Sequence, residues 1–207
     1  EIAGRTIIQR IVDIVSKKSK NKIKNIGFII QKQDTKVEEM LKLIGNQNNI
    51  NVHIFYQTEA LGTAHAIYCA KKILFGPVLI VFADTLFDTK LIIPEMTDGC
   101  VFVKEVENPS AYGVVKLNQS GEIIEFIEKP KELISNLAIV GIYYFKDGTL
   151  LVDEIKYILD KNIMIKGEYQ ITTVLENLKN KNLVFVPHKI DKWFDFGTPL
   201  NLLKSHA

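Results

Sequence analysis

Four short stretches of the sequence carry residue types that could act on phosphates. Asp84 follows the apolar run 78–82, which places it at the carboxyl end of a buried strand. In open α/β sheets, ligands gather in the crevice outside those ends. A carboxylate there suits Mg²⁺, which combines carboxylate oxygens with substrate phosphates and water. An aspartate capping a helix or turn fits the spacing equally, since Asp88 and Thr89 follow closely. Asp195 stands in WFDFGT (193–198), a carboxylate among aromatics with a glycine two residues on. Burying a bare charge costs several kcal/mol, so that carboxylate needs a cation or donors. The plainer alternative is a capped strand end, with Thr198 and Pro199 opening a last helix. Two aspartates at two strand ends could share one Mg²⁺ and a triphosphate.

The other two stretches are softer signals. Glu128-Lys129-Pro130 closes the run 122–127, where proline stops the ladder. Lysine there suits a phosphate and glutamate suits sugar hydroxyls, although a surface Glu–Lys pair before a turn is spelled the same way. LGTAHA (61–66) joins a strand to a helix through small residues. Such a turn allows close backbone approach, and the helix start offers N–H groups. It is neither a Walker A nor a GxGxxG pattern. His65 is placed to touch a base, yet a lone helix histidine is more often structural. No Ser-His-Asp order and no zinc spacing is present.

The elements that must hold these residues alternate in the first half. Residues 6–18 put Ile7, Ile8, Ile11, Val12 and Val15 on one helical face. A short buried strand follows at 25–30. Asp34 caps a helix that Gly45 and Asn46 are expected to stop. Next come a strand at 52–56, a helix at 62–73 and a strand at 78–82 after Gly76-Pro77. Three βα units in succession predict a three-layer, Rossmann-like α/β fold: a mixed, mainly parallel sheet with helices on both faces. The second half reads as strands at 99–106, 113–117, 122–127 and 137–145, with a hairpin-like turn at 119–121. Helices at 147–159 and 168–180 and strands at 183–186 and 192–196 complete one domain spanning 1–207.

Bulk properties exclude more than they assert. Apolar residues make up 47% and charged residues 24% of 207 residues, the balance of a globular protein with a real core. A net charge of +2 demands neither nucleic acid nor an anionic membrane. The mild basic cluster Lys17, Lys18, Lys20, Lys22 and Lys24 reads as a solvated helix end and turn. Cys69 and Cys100 form no metal-spaced cluster or disulfide framework and read as core fillers. No apolar stretch approaches the ~20 residues of a membrane-spanning helix. No leader-like stretch opens the sequence. A cytoplasmic setting is therefore the expectation.

Taken together and in order, these stretches resemble the nucleoside-diphosphate-sugar pyrophosphorylases, the sugar-phosphate nucleotidyltransferase family. The carriers are QTEALGTAHAI (57–67), GPVLIVFADTLF (76–87), NPSAYGVVKLNQSGEIIEFIEKP (108–130), SNLAIVGIYYF (135–145), GEYQITTVLENL (167–178) and WFDFGTP (193–199). EIAGRTIIQRIVDIV (1–15) looks like the helix that follows the family's signature loop. The resemblance implies a nucleotide-diphospho-sugar transferase fold, and Mg²⁺ held by Asp84 and Asp195. Gly62, Thr63 and His65 would line the nucleobase pocket. Gly113, Glu128, Tyr143 and Glu168 would line the sugar pocket, with Lys129 on the sugar phosphate. Trp193 would pack beneath Asp195. Ala83 stands where the family usually has glycine before its first metal aspartate. Members also begin with a buried strand and a Gly-rich loop carrying Arg, then Lys. None of this precedes Glu1, and the expectation is that the sequence is incomplete there. No carboxyl-terminal β-helix follows WFDFGTP, which favours the shorter members over the bifunctional ones.

The implied reaction joins an NTP to a sugar 1-phosphate and releases pyrophosphate, with those two substrates as partners and homo-oligomers open. Which NTP (dTTP, UTP, CTP, GTP or ATP) and which sugar (heptose, hexose or aminosugar) stay open, because base choice rests on a few contacts worth about 1–3 kcal/mol. A non-catalytic sugar-nucleotide-binding or regulatory subunit would use the same pocket residues. An unrelated nucleotide-binding α/β domain would have no use for Glu128 and Lys129.

Overall fold

Apolar periodicity lays down the helices and strands, and the sheet then decides where the polar strand ends meet. The computed structural model describes residues 4–18, 22–89, 91 and 97–197. Thr198, Pro199 and the helix expected there lie outside them, as do residues 1–3 and Lys20. In chain order the elements are α1 (Ile7–Lys18), β1 (Asn25–Ile30), α2 (Thr35–Asn48), β2 (Asn51–Tyr56), α3 (Thr63–Cys69), a short 3₁₀ turn (Lys71–Ile73), β3 (Val78–Val81) and β4 (Thr85–Asp88). Then follow β5 (Gly99–Glu105), β6 (Gly113–Leu117), β7 (Ile123–Glu128), β8 (Leu137–Phe145), α4 (Gly148–Asp160), α5 (Ile171–Asn180), β9 (Phe185–Lys189) and β10 (Lys192–Asp195).

Local chemistry accounts for several boundaries. Thr6 and Gln9 exchange the two hydrogen bonds of a capping box, Thr6 N–H to Gln9 Oε1 at 2.8 Å and Gln9 N–H to Thr6 Oγ1 at 3.2 Å. Asp34 caps α2 as expected, its Oδ1 accepting from Lys36 and Val37 N–H. Gly45 does not stop that helix, which runs to Asn48 and turns at Asn49, φ 55°. A Cβ on Gly45 would lie 2.1 Å from Val52 Cγ2, so the glycine serves the close packing of α2 on β2.

The central sheet has six strands in the order β7-β6-β8-β5-β9, with β3 also on β8. β1 and β2 form a separate parallel pair, and β4 and β10 an antiparallel ribbon. The sheet is mixed, as expected, but the expected parallel majority is not found among the described strands. Only β1–β2 and β5–β9 are parallel, and the other five pairings are antiparallel. The reason is β8, which runs against both β3 and β5, so the parallel run suggested by three βα units ends there. Alternation along the strands splits the core. Val101, Val103, Tyr143 and Phe145 pack with residues of α3, α4 and α5, whereas Cys100, Phe102, Val140 and Ile142 pack with α1 and β4 residues. Helices therefore cover both faces.

Two strands share one edge of β8. β3 and β6 pair with it along different lengths, β3 opposite Ile142–Phe145 and β6 through Val114 opposite Ala138. Between them the edge forks. Gly141 stands in the fork with φ 80°, and a Cβ there would lie 2.9 Å from Phe82 Cδ2 and 3.1 Å from Thr85 Oγ1. Phe82 N–H donates to Gly141 O at 2.9 Å, and Thr85 Oγ1–H to Val140 O at 2.9 Å. Gly141→Ala should therefore cost about 1–3 kcal/mol through left-handed strain. Urea unfolding checks it, and an unchanged midpoint would contradict the close approach.

Candidate active site

The chain leaves β3 at Val81 and reaches Asp84 in three residues, then enters β4 at once. β4 was not expected from sequence; Asp84 lies in the turn that enters it, closed by Thr85 N–H donating to Phe82 O at 3.2 Å, and caps no helix. Its partner is β10, with Thr85 opposite Asp195 and Phe196 N–H donating to Asp84 O at 2.9 Å. This pairing brings the two carboxylates together. A Cβ on Gly197 would lie 2.8 Å from Asp84 Oδ2 and 3.1 Å from Asp195 Oδ1, so both carboxylates look into one small space. Burial and the negative charge of Asp195 raise the Asp84 pKa above its ordinary value, against weaker hydrogen bonds from its backbone and Thr85. Asp84 is exposed by accessible area. The loss of hydration is that of a carboxylate in a concave mouth, not of a core residue.

Asp195 is held on both oxygens. Oδ1 accepts from Gly197 N–H at 2.8 Å and Oδ2 from Tyr112 Oη at 2.9 Å. Each carboxylate oxygen has two acceptor positions, so both can still turn one toward a cation. Among the described residues no group of three or more His, Cys, Asp or Glu stands ready to enclose a metal. Two hard, mutually repelling carboxylates fit Mg²⁺, provided phosphate and water complete the shell.

The glutamate–lysine pair closes β7 beside the start of β6, with Gly113 opposite Glu128. Glu128 Oε2 accepts from Thr172 Oγ1 at 2.9 Å, and Lys129 Nζ stands 4.0 Å from Glu128 Oε1. Lys129 has φ 44°, an uncommon conformation for a side-chain-bearing residue, and more so before proline. Its N–H donates to Tyr112 O at 3.2 Å. Tyr143 is buried, at 3% exposure, against Phe82 and between the two acidic groups. Burial first, then the charges of Glu128 and Asp84, push its phenol far up.

The glycine turn is stitched to a distant segment. Gly62 has φ 104°; Tyr169 N–H donates to Leu61 O at 2.8 Å, and Ala64 N–H to Tyr169 O at 2.9 Å. Thr63 Oγ1 accepts from Ile171 N–H at 3.0 Å, so a side chain from α3 caps the first turn of α5. The next residue of that turn is Thr172, the donor to Glu128. One helix start therefore ties Gly62 and Thr63 to Gly113 and Glu128. Glu168, exposed just ahead of it, accepts from Gln170 Nε2 at 2.6 Å. His65 Nδ1 lies 3.1 Å from Gln57 Nε2, which also donates to Gly62 O at 3.0 Å. His65 thus takes part in bracing the turn.

Sequence reasoning missed Gln57, Tyr112 and Thr172. All three lie inside the stretches that carry the resemblance, and Tyr112 adjoins Gly113, but none has a spacing signal of its own. A cavity of ≈ 550 Å³ lies at the other end of β3, lined by residues including Gly76, Asp98, Lys146 and Leu150. It holds none of these groups, which converge at the fork instead. Among the described residues no helix is long and apolar enough to cross a membrane.

The fold is a mixed α/β sheet covered by helices on both faces, whose strand ends bring two carboxylates, a glycine turn and a Glu–Lys strand end toward one fork. The chain belongs to the nucleotidyl transferase family, whose model matches residues 3–207. It is 28% identical over 208 residues to the bifunctional protein GlmU of Methanococcus aeolicus, covering 100% of this chain and 47% of that protein. It is 34% identical over 176 residues to the mannose-1-phosphate guanylyltransferase catalytic subunit beta of Drosophila pseudoobscura pseudoobscura, covering 81% of this chain and 45% of that one. The chain thus spans about half the length of the curated relatives it matches. In fold it resembles the nucleoside-diphosphate-sugar pyrophosphorylase of Vibrio cholerae RC9, with TM-score 0.81 and 17% identity, over 99% of this chain and 88% of that one. A bifunctional protein among these relatives gives no support to the preference for shorter members.

Proposed function

We propose that the protein transfers a nucleotidyl group from an NTP to a sugar 1-phosphate, forming an NDP-sugar and releasing pyrophosphate. The observation that carries this reading is the meeting of Asp84 and Asp195 in one space beside the Glu128–Lys129 strand end. A phosphate oxygen of the sugar 1-phosphate attacks the α-phosphorus, and the bond from that phosphorus to the pyrophosphate oxygen breaks in line. The attacking monoester is already anionic, so no general base is required. Lys129 positions the nucleophile, and Glu128, oriented by Thr172, accepts sugar hydroxyls. Gly113, Tyr143 and Glu168 complete the sugar side, and Gly62, Thr63 and His65 the base side. Asp84 and Asp195 would hold Mg²⁺, which supplies neutralisation of phosphate charge.

In this reading residues 1–207 form one domain. A cytoplasmic setting, where NTPs are at hand, goes with it. The test is Mg²⁺-dependent pyrophosphate release across pairs of NTPs and sugar 1-phosphates. No turnover with any pair, by protein carrying the phosphate loop, would overturn the reading.

Lys129 offers a sharper check. Lys129→Gly removes the phosphate contact but suits the left-handed backbone. The KM for sugar 1-phosphate should rise about tenfold or more, the worth of a charge-assisted hydrogen bond, while thermal stability holds or improves. An unchanged KM would remove Lys129 from the site.

A further inference from the structure

Asp195 ends a four-strand-residue ribbon whose pairing, among the described residues, is with β4 alone. Something else must fix its carboxylate relative to the sugar side of the fork, and Tyr112 is built to do so. It sits in a turn already tightened by its neighbours. Ser110 N–H and Oγ both meet Asn108 Oδ1, at 3.2 and 2.7 Å, and Tyr112 N–H donates to Pro109 O at 2.9 Å. The next residue, Gly113, opens β6 and pairs with Glu128. From this base Tyr112 reaches in two directions. Its hydroxyl donates to Asp195 Oδ2 at 2.9 Å, and its carbonyl accepts the strained Lys129 N–H at 3.2 Å. Its ring stands edge-on to Trp193, centroids 4.9 Å apart and planes at 64°.

We propose that Tyr112 is a positioning residue that sets the metal carboxylate Asp195 and the sugar-phosphate lysine Lys129 in one frame, through its hydroxyl and its carbonyl respectively. The proposal rests on the reading of Asp195 as a metal ligand and Lys129 as a phosphate contact. A phenol donating to a carboxylate limits its rotation and selects which lone pairs face the cation, and partners of this kind hold metal ligands in productive orientation. The carbonyl arm is main chain, so the two arms separate by mutation. Tyr112→Phe deletes the Asp195 arm while keeping the ring on Trp193 and the Lys129 arm. Tyr112→Leu deletes the ring as well.

Trp193 is the sole tryptophan and lies two residues before Asp195, so its fluorescence reports on the site directly. Mn²⁺ is titrated into the protein with saturating inorganic pyrophosphate, and quenching of Trp193 gives the apparent affinity for wild type, Tyr112→Phe and Asp195→Asn. Tyr112→Phe should weaken Mn²⁺ binding about 10- to 100-fold, the usual loss for such partners. In turnover it should raise the metal requirement while leaving the KM for sugar 1-phosphate unchanged. Tyr112→Leu should in addition shift Trp193 emission. If Asp195→Asn weakens Mn²⁺ binding and Tyr112→Phe does not, the positioning role is wrong although Asp195 remains a ligand. If Asp195→Asn binds Mn²⁺ like wild type, the ligand reading itself fails and the proposal falls with it. A raised KM for sugar 1-phosphate in Tyr112→Phe, with metal binding unchanged, would also overturn it.

Discussion

Asp84→Asn should lower nucleotidyl transfer on the order of 10²–10³-fold yet leave the metal-free protein as stable as wild type or more so. The loss follows from removing half of a two-carboxylate site: a phosphate-neutralising cation supplies several kcal/mol to such a transition state, and each 1.36 kcal/mol is a factor of ten. The stability half comes from the raised Asp84 pKa. Below the ordinary value of 3.8, both folded and unfolded chains carry the proton and the residue contributes nothing. As pH climbs through 3.8 toward the raised folded value, the unfolded chain ionises first, so the fold loses stability. Above the folded value that loss is complete. Asparagine removes it, so the variant should equal or exceed wild type at neutral pH, with the gap closing in acid. Thermal melts at several pH values, with and without Mg²⁺, read both parts. Added Mg²⁺ should raise the wild-type melting point and leave the variant nearly unmoved. A variant less stable than wild type at neutral pH without metal would contradict the paired-carboxylate geometry.

Gly62→Ala should damage both fold and nucleotide use. Its Cβ would lie 2.6 Å from Tyr169 O and 2.8 Å from Tyr169 N, and φ 104° is hostile to any side chain. Those atoms are backbone and already bonded to Leu61 and Ala64, so they cannot yield without breaking the stitch between the glycine turn and α5. Left-handed strain and overpacking together cost roughly 2–4 kcal/mol. At about 2–4 °C per kcal/mol for a domain this size, the melting point should fall roughly 5–15 °C. Because Thr63 caps α5 from across that stitch, the KM for NTP should rise more than that for sugar 1-phosphate. Differential scanning calorimetry and paired saturation curves test this; a normal melting point would mean that the turn does not approach Tyr169.

The elements most legible in the sequence were those whose signal is local. β1, β6 and β8 fall at the residues that periodicity and turn chemistry indicate, and Asp34 caps α2 as its position suggests. Asp84 and Asp195 could each be placed at a strand end, but their meeting could not be read from spacing. It depends on β4, four residues whose identity as a strand comes from pairing with β10 more than a hundred positions away. Gly45 misled for a similar reason, since its smallness answers Val52, a tertiary neighbour. Tyr112 and Thr172 escaped because a tyrosine and a threonine are unremarkable until the acids they donate to are known. The resemblance supplied Gly113, Tyr143 and Glu168, which no spacing argument had reached.

The fork in β8 has a consequence for how such a site can change. The strand ends that deliver Asp84 and Gly113 sit opposite Ile142 and Ala138 of one strand, and the register shift of β8 against β5 lies between those two marks. β8 is therefore a ruler, and its length between those marks fixes the gauge of the mouth. Insertions in the surrounding loops can widen or narrow what lies above the gauge without altering it. Lengthening β8 by one residue would instead turn every side chain beyond the insertion to the opposite face and exchange the two halves of the core. Substrate preference is thus free to drift in loops and pocket side chains, while the distance between the two reacting partners stays fixed.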